Sequence, residues 1–183
     1  MRSARWRSAA VALVAVFLLG GCRTTAQFAP SLPQVVGLQV QGDQLQLLTG
    51  TVCSDVTQVT VLLNGGPDDR PARAILKAPV PTAVQTVSVG GRVEADGFEA
   101  TEGLEPDVDW RDYSDVEVVL DRPSGPSVAS SDLEPVKKAG AKHEGDGTAY
   151  VRDEGWLTPD QITAGNAKDF LTACTPDPAK KSG

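Results

Sequence analysis

Between Val35 and Leu120 apolar residues return at every second position. Leu45, Leu47, Thr49, Thr51 and Cys53 share one parity, as do Val59, Val61 and Leu63, and later Val116, Val118 and Leu120. A period of two puts alternate side chains on opposite faces of an extended strand, whereas a helix needs a period near 3.6. The runs that carry the pattern are short and rich in Val, Leu and Thr: "VVGLQV", "DQLQLLTGTVC", "VTQVTVLLN", "ARAILKA", "AVQTVSV" and "DVEVVL". Gly42-Asp43, Asn64-Gly65-Gly66 and Gly90-Gly91 interrupt them with turn chemistry. Short strands at this spacing favour antiparallel hairpins over βαβ units. The expectation is a mostly β chain: an antiparallel β-sandwich over residues 34–122, immunoglobulin-like in arrangement, with a short C-terminal helix. The Cys–Trp–Cys spacing of antibody domains is missing, so the expectation concerns architecture alone.

Residues 123–147 read differently. The stretch "PSGPSVASSDLEPVKKAGAKHEGDG" holds few large apolar residues and much Pro, Gly, Ser and charge. It is expected to be a mobile linker or loop. Residues 148–176 should supply one more strand, "TAYVRDEGW", and a helix packed on the core. Thr158 is the expected N-cap, Pro159 the first helical residue, and Gln161 the partner in a capping box. Ile162, Phe170 and Leu171 would form a weak apolar face, and the helix would end near Cys174. Residues 177–183 should be a disordered tail.

The N-terminus has three parts. Arg2, Arg5 and Arg7 are followed by an apolar run, Ala9 to Leu19, and then by Gly20 and Gly21. This is the layout of a secretory signal peptide over residues 1–21. The run is too short for a settled membrane-spanning helix, which needs about 20 residues. Leu19-Gly20-Gly21-Cys22 resembles the lipobox of bacterial lipoproteins. The resemblance covers residues 1–22 only. It implies that Cys22 receives a diacylglyceryl group and becomes the first residue after cleavage. Residues 22–33, polar with two prolines, would then be a flexible tether to the membrane.

That resemblance also bears on the other two cysteines. With Cys22 acylated, Cys53 and Cys174 remain, and export would place them where disulfides persist. A bridge between them is expected at the inner face of the strand that carries Cys53. The alternative is two separate buried thiols.

Charge narrows the partners. Removing residues 1–21, which hold three arginines and no acid, takes the formal charge from −7 to −10. An acidic surface repels nucleic-acid phosphates, so no nucleic-acid partner is expected. The densest acidic stretch is residues 94–117, "EADGFEATEGLEPDVDWRDYSDVE", with ten carboxylates against one arginine. Asp107, Asp109, Asp112 and Asp115 offer oxygens of the kind Ca²⁺ takes. They do not have EF-hand spacing: counting from Asp107, Arg111 stands fifth and Asp112 sixth, where that loop needs Gly. The stretch is expected to be a solvated acidic loop without a metal, with Trp110 and Tyr113 tucked against the sandwich.

The one histidine, His143, lies inside the expected linker, a poor mount for a catalytic base. No phosphate-binding loop, dinucleotide fingerprint or nucleophile elbow is present. No catalytic residue, cofactor or metal is therefore expected. The sequence as a whole suggests an extracytoplasmic lipoprotein, held to the cell membrane by lipid on Cys22. Its non-catalytic β-sandwich would bind another envelope or secreted protein. The alternative is a module for a small ligand, a carbohydrate or Ca²⁺.

Overall fold

The structure, a computed structural model, describes residues 32–179. Cys22 and the signal-like segment lie outside the described residues. Two short strands come first, β1 (Gln34–Val35) and β2 (Gly37–Gln41). They lead into a long antiparallel hairpin formed by β3 (Gln44–Asn64) and β4 (Ala72–Val89). At 21 residues, β3 is several times the usual length of about 5–6. A twisted strand of that length must bend if both ends are to stay on one core.

The bend is visible in the pairing. The β3–β4 register shifts between Leu48 and Cys53, between Cys53 and Val56, and between Val56 and Gln58. Gly50 and Asp55 take left-handed backbone angles there, with φ of 75° and 59°. Each inserted residue moves the strand's inward face by one position. The buried residues run Leu45, Leu47, Thr49 and Cys53, then Val56, then Val59, Val61 and Leu63. Two shifts restore the original parity, so both halves of β3 point their apolar side chains inward. On β4 the irregularity coincides with Pro79 and Pro81, which have no N–H to give to a ladder.

The other strands attach to the two halves of this hairpin. On β4 lie β5 (Val93–Glu94) and β6 (Glu99–Glu102). The first half of β3 pairs with β2, and its second half with β7 (Asp115–Asp121). Beyond β7 comes β8 (Ser127–Asp132), which is followed in the chain by α1 (Glu134–Ala139). Beyond β2 come β9 (Ala149–Val151) and its hairpin partner β10 (Gly155–Leu157). After α2 (Pro159–Gly165), the short β11 (Leu171–Thr172) runs parallel to β1, and β1 runs parallel to β8.

All eleven strands thus belong to one curled, mixed sheet. Leu45, Leu47 and Val87 from one half meet Val59, Leu63, Val116 and Leu120 from the other in a single core. The chain is mostly β with a short C-terminal helix. Its pairing is one continuous sheet. The physical reason is β3 and β4 themselves. Runs that stand apart in the sequence continue through bulges as single strands, so both halves of the sheet share them.

The expected linker over 123–147 is corrected. Residues 127–132 form β8, residues 134–139 form α1, and a turn of 3₁₀-helix covers Gly140–Lys142. Ala129, Leu133 and Val136 are buried, and so are Ser127 and Ser131. Few large side chains are needed because β8 lies between β7 and β1, where small residues fit. Its backbone hydrogen bonds, rather than its apolar mass, hold it in place.

At the C-terminus, α2 starts as the sequence indicates. Thr158 accepts a hydrogen bond from Gln161 N–H, and the Gln161 side chain accepts one from Thr158 N–H. The helix ends at Gly165, earlier than Cys174. A Cβ on Gly165 would stand 2.7 Å from the Phe170 ring. The chain turns there, and Phe170 and Leu171 reach the core from the strand side, not from a helix face.

Cys174 is bonded to Cys53, with 5.4 Å between their Cα atoms. Cys53 is fully buried, so the bridge lies at the inner face, at the bend of β3. Around it Thr51 and Thr172 share a hydrogen bond, as do Thr172 and Thr175, and Ala173 N–H donates to the Thr49 carbonyl.

Two measurements check this architecture. Replacing Cys53 and Cys174 by Ala opens a loop of 121 residues. Stability to denaturant should fall by about 3–5 kcal/mol, and the double variant should lose no more than either single one. Leu133→Ala should cost about 2–5 kcal/mol. In a mobile linker it would cost nothing measurable.

Candidate functional site

A concave feature sits at the turn end of the β3–β4 hairpin. It is a groove of about 680 Å³. One wall is Leu62 with Pro67 and Arg70 of the turn and Arg73 of β4. The other is the chain from Glu102 to Asp112. Two glycines let the walls approach. A Cβ on Gly65 would stand 2.1 Å from Ser114 Oγ, and one on Gly66 would stand 2.2 Å from the Tyr113 ring. The Tyr113 ring therefore lies against bare backbone, and Ser114 N–H donates to the Asn64 carbonyl at 2.9 Å.

Charge in the groove is partly internally matched. Arg73 meets Glu102 in a two-pronged contact, both bonds 2.9 Å. That contact raises the Arg73 pKa further above its ordinary value, chiefly through the hydrogen bond and then through charge. Asp109 accepts from Arg111 N–H at 3.0 Å and pairs with its guanidinium at 3.3 Å. The Arg111 guanidinium also lies over the Trp110 ring, 4.6 Å from its centre. Trp110 is buried and donates its indole N–H to the Asp43 carbonyl. The expected tucking of Trp110 and Tyr113 is therefore what the chain adopts. Glu105, Asp107 and Asp112 line the groove and remain open to solvent-borne cations.

The four aspartates singled out as oxygen donors do not converge. Asp107, Asp109 and Asp112 line the groove, with Asp109 engaged by Arg111. Asp115 is the first residue of β7, accepts from Ser114 Oγ at 2.7 Å, and pairs with Arg152 at 3.1 Å. Among the described residues no group of three or more His, Cys, Asp or Glu is placed to hold a metal.

His143 is not a solvated loop residue. Its ring stacks on Trp156, with centres 3.9 Å apart and planes 9° from parallel. Its Nδ1 is 2.8 Å from Asp146 and 3.2 Å from Thr148 Oγ1. These partners are a carboxylate, a hydroxyl and an indole. Among the described residues its hydrogen-bond partners include no serine or cysteine of the kind a nucleophile–base pair uses. Asp146 is held below the ordinary carboxylate range, first by the Thr148 hydroxyl, then by the Thr148 N–H, and then by His143. A depressed carboxylate stabilises the fold above its unfolded pKa. It loses that contribution as pH falls through its lower folded value.

Sequence reading found the acidic stretch and Tyr113 but not Arg70, Arg73 or the turn at Pro67 as groove walls. No local signal marks them, because the wall is assembled from segments some 30 to 40 positions apart in the chain. NaCl and CaCl₂ at matched ionic strength should shift the melting temperature alike, since screening at about 0.15 M acts over roughly 8 Å. A calcium-specific rise, lost in Asp109→Asn, would overturn the placement of these carboxylates.

The chain matches no protein-family model, and no curated protein or solved structure matches it either.

Proposed function

We propose that this chain is an extracytoplasmic, lipid-anchored envelope protein whose non-catalytic β-domain binds another envelope or secreted protein. The observation that carries this reading is the Cys53–Cys174 bridge. Such a bridge forms and persists in an oxidising compartment. It therefore favours export, which the lipobox-like junction at Cys22 also favours. Two acyl chains on one residue suffice for stable anchoring where one does not.

Strand direction supports an outward-facing groove. Asn64, Asp115 and Asp132 lie side by side at the end of the sheet that bears the groove. β8 runs toward that end, and β1 runs parallel to it. β1 therefore begins at the opposite end, and a membrane tether attached there would leave the groove pointing away. Carboxylates in that position are clear of anionic lipid headgroups. They suit basic side chains of a protein partner, which gain from complementary charge on approach.

Two experiments test the reading. In the exporting cell, Cys22→Ala should abolish lipid attachment and move the protein from the detergent phase to the aqueous phase. Normal processing and membrane retention would refute the anchor. A photo-crosslinker at Asp107 should capture one protein whose yield falls when Glu105 and Asp112 become Lys. Capture that ignores those charges, or equal capture from a probe at Val128 on the far end, would refute the groove as the docking face.

A further inference from the structure

The segment from Gly140 to Thr148 crosses the sheet as a strap. Near one end, Gly140 lies so close to β2 that a Cβ there would stand 2.6 Å from a Val40 methyl. The Glu144 carboxylate accepts the Gly42 N–H at 2.7 Å, in the turn between β2 and β3. On the other side His143 lies flat on Trp156 of β10. Tyr150 of β9 meets the same indole edge-on at 5.9 Å. The strap thus ties β2 to β10 across β9.

The seam it crosses is thinly paired. β9 joins β2 through the single registered pair Leu38 and Tyr150, and among the described residues β10 pairs with β9 alone. Beneath this hairpin lies a second, smaller core of Val35, Ala149, Val151, Ile162 and Phe170. A cleft of about 230 Å³ borders it, lined in part by Leu48, Gly147, Leu157 and Pro159.

We propose that His143 is a pH-sensitive clasp: protonation of its ring tightens the strap on Trp156 and closes the β9–β10 hairpin against β2. A protonated imidazole over an indole face adds a cation–π attraction to the stack. The same proton turns the contact from Nδ1 to the Asp146 carboxylate into an ion pair. The neutral ring keeps the stack and loses both charge effects. Histidine is the side chain that ordinarily changes charge between about pH 5 and 8, and His143 is the only one in the chain.

The surrounding charges leave Asp146 as the partner. Lys142 and Glu144 flank His143 in the chain, and Glu144 is engaged by Gly42. β9 brings Tyr150, and Arg152 just beyond it is paired with Asp115. The turn before β10 carries Asp153 and Glu154, the turn after β2 carries Asp43, and β2 and β10 themselves bring no ionisable group. Lys137 and Lys138 of α1 are paired with Glu134. Asp146 stays ionised across the window, since its carboxyl is held below the ordinary range.

Hydrogen exchange on the full-length chain tests the clasp, with protection factors corrected for the intrinsic pH effect. From pH 8 to pH 5.5, protection of amides 149–157 should rise roughly threefold, the scale of an exposed cation–π contact. Amides of the β3–β7 ladder should not change. His143→Gln should abolish the rise, and Asp146→Asn should reduce it. Fluorescence from Trp156, isolated by difference from Trp156→Phe, should be quenched over the same pH range. An unchanged or falling protection in the wild type, or an equal rise in His143→Gln, would overturn the proposal. Neither result depends on whether Cys22 carries lipid or the groove binds a partner.

Discussion

The bend of β3 is the constraint on which the rest of the fold depends. One strand borders both halves of the sheet, so its inward side chains must serve a single core from two directions. Two register shifts near Cys53 and Val56 make that possible by moving the apolar face one position and then back again. With only one of them, either Leu45 and Leu47 or Val59 and Val61 would face solvent. Exposing such a side chain costs about 1.5–3 kcal/mol. Asp55 accepts a left-handed backbone at this bend, as short polar side chains do with least strain.

The same bend is the weakest part of the central hairpin, because ladder pairs are missing between Leu48 and Gln58. The C-terminal segment covers this gap. Cys174 bonds to Cys53, Ala173 N–H reaches the Thr49 carbonyl, and Thr172 packs on Gly50, where there is no room for a Cβ. The covalent bridge and the threonine hydroxyls thus compensate a ladder that curvature has interrupted. The bond ties the last element to the middle of the longest strand, and β1 to β11 closes the curl beside it.

Stability and recognition draw on different parts of the molecule. The main core is apolar, and the ion pairs lie at the surface, where each contributes little. The turn end of the hairpin carries the groove, built on Gly65, Gly66 and Tyr113. The edge formed by β2, β9 and β10 carries the strap, with its stacked His143 and Trp156. Both features sit on connections between strands, which a rigid sheet positions without depending on them.

Much of the fold was legible in the sequence because its signals are local. The period of two named the strands and their inward residues, since alternation follows from strand geometry alone. The cap at Thr158 was legible for the same reason: Thr, Pro and Gln at fixed offsets satisfy a helix end wherever it lies. Cys53 and Cys174 could be named as a pair by elimination, although only the fold brings them together. What the sequence could not decide was continuity. Turn-like residues at Gly50 and at Pro79–Pro81 look the same whether the chain reverses or merely bulges, because the local backbone angles serve both. The tertiary structure chose the bulge, since a continuous β3 buries both of its halves. It also ordered residues 127–139, whose strand and helix are held by neighbours distant in sequence rather than by their own apolar content. And it alone made the groove and the strap, because each is assembled from segments that approach one another only when the sheet curls.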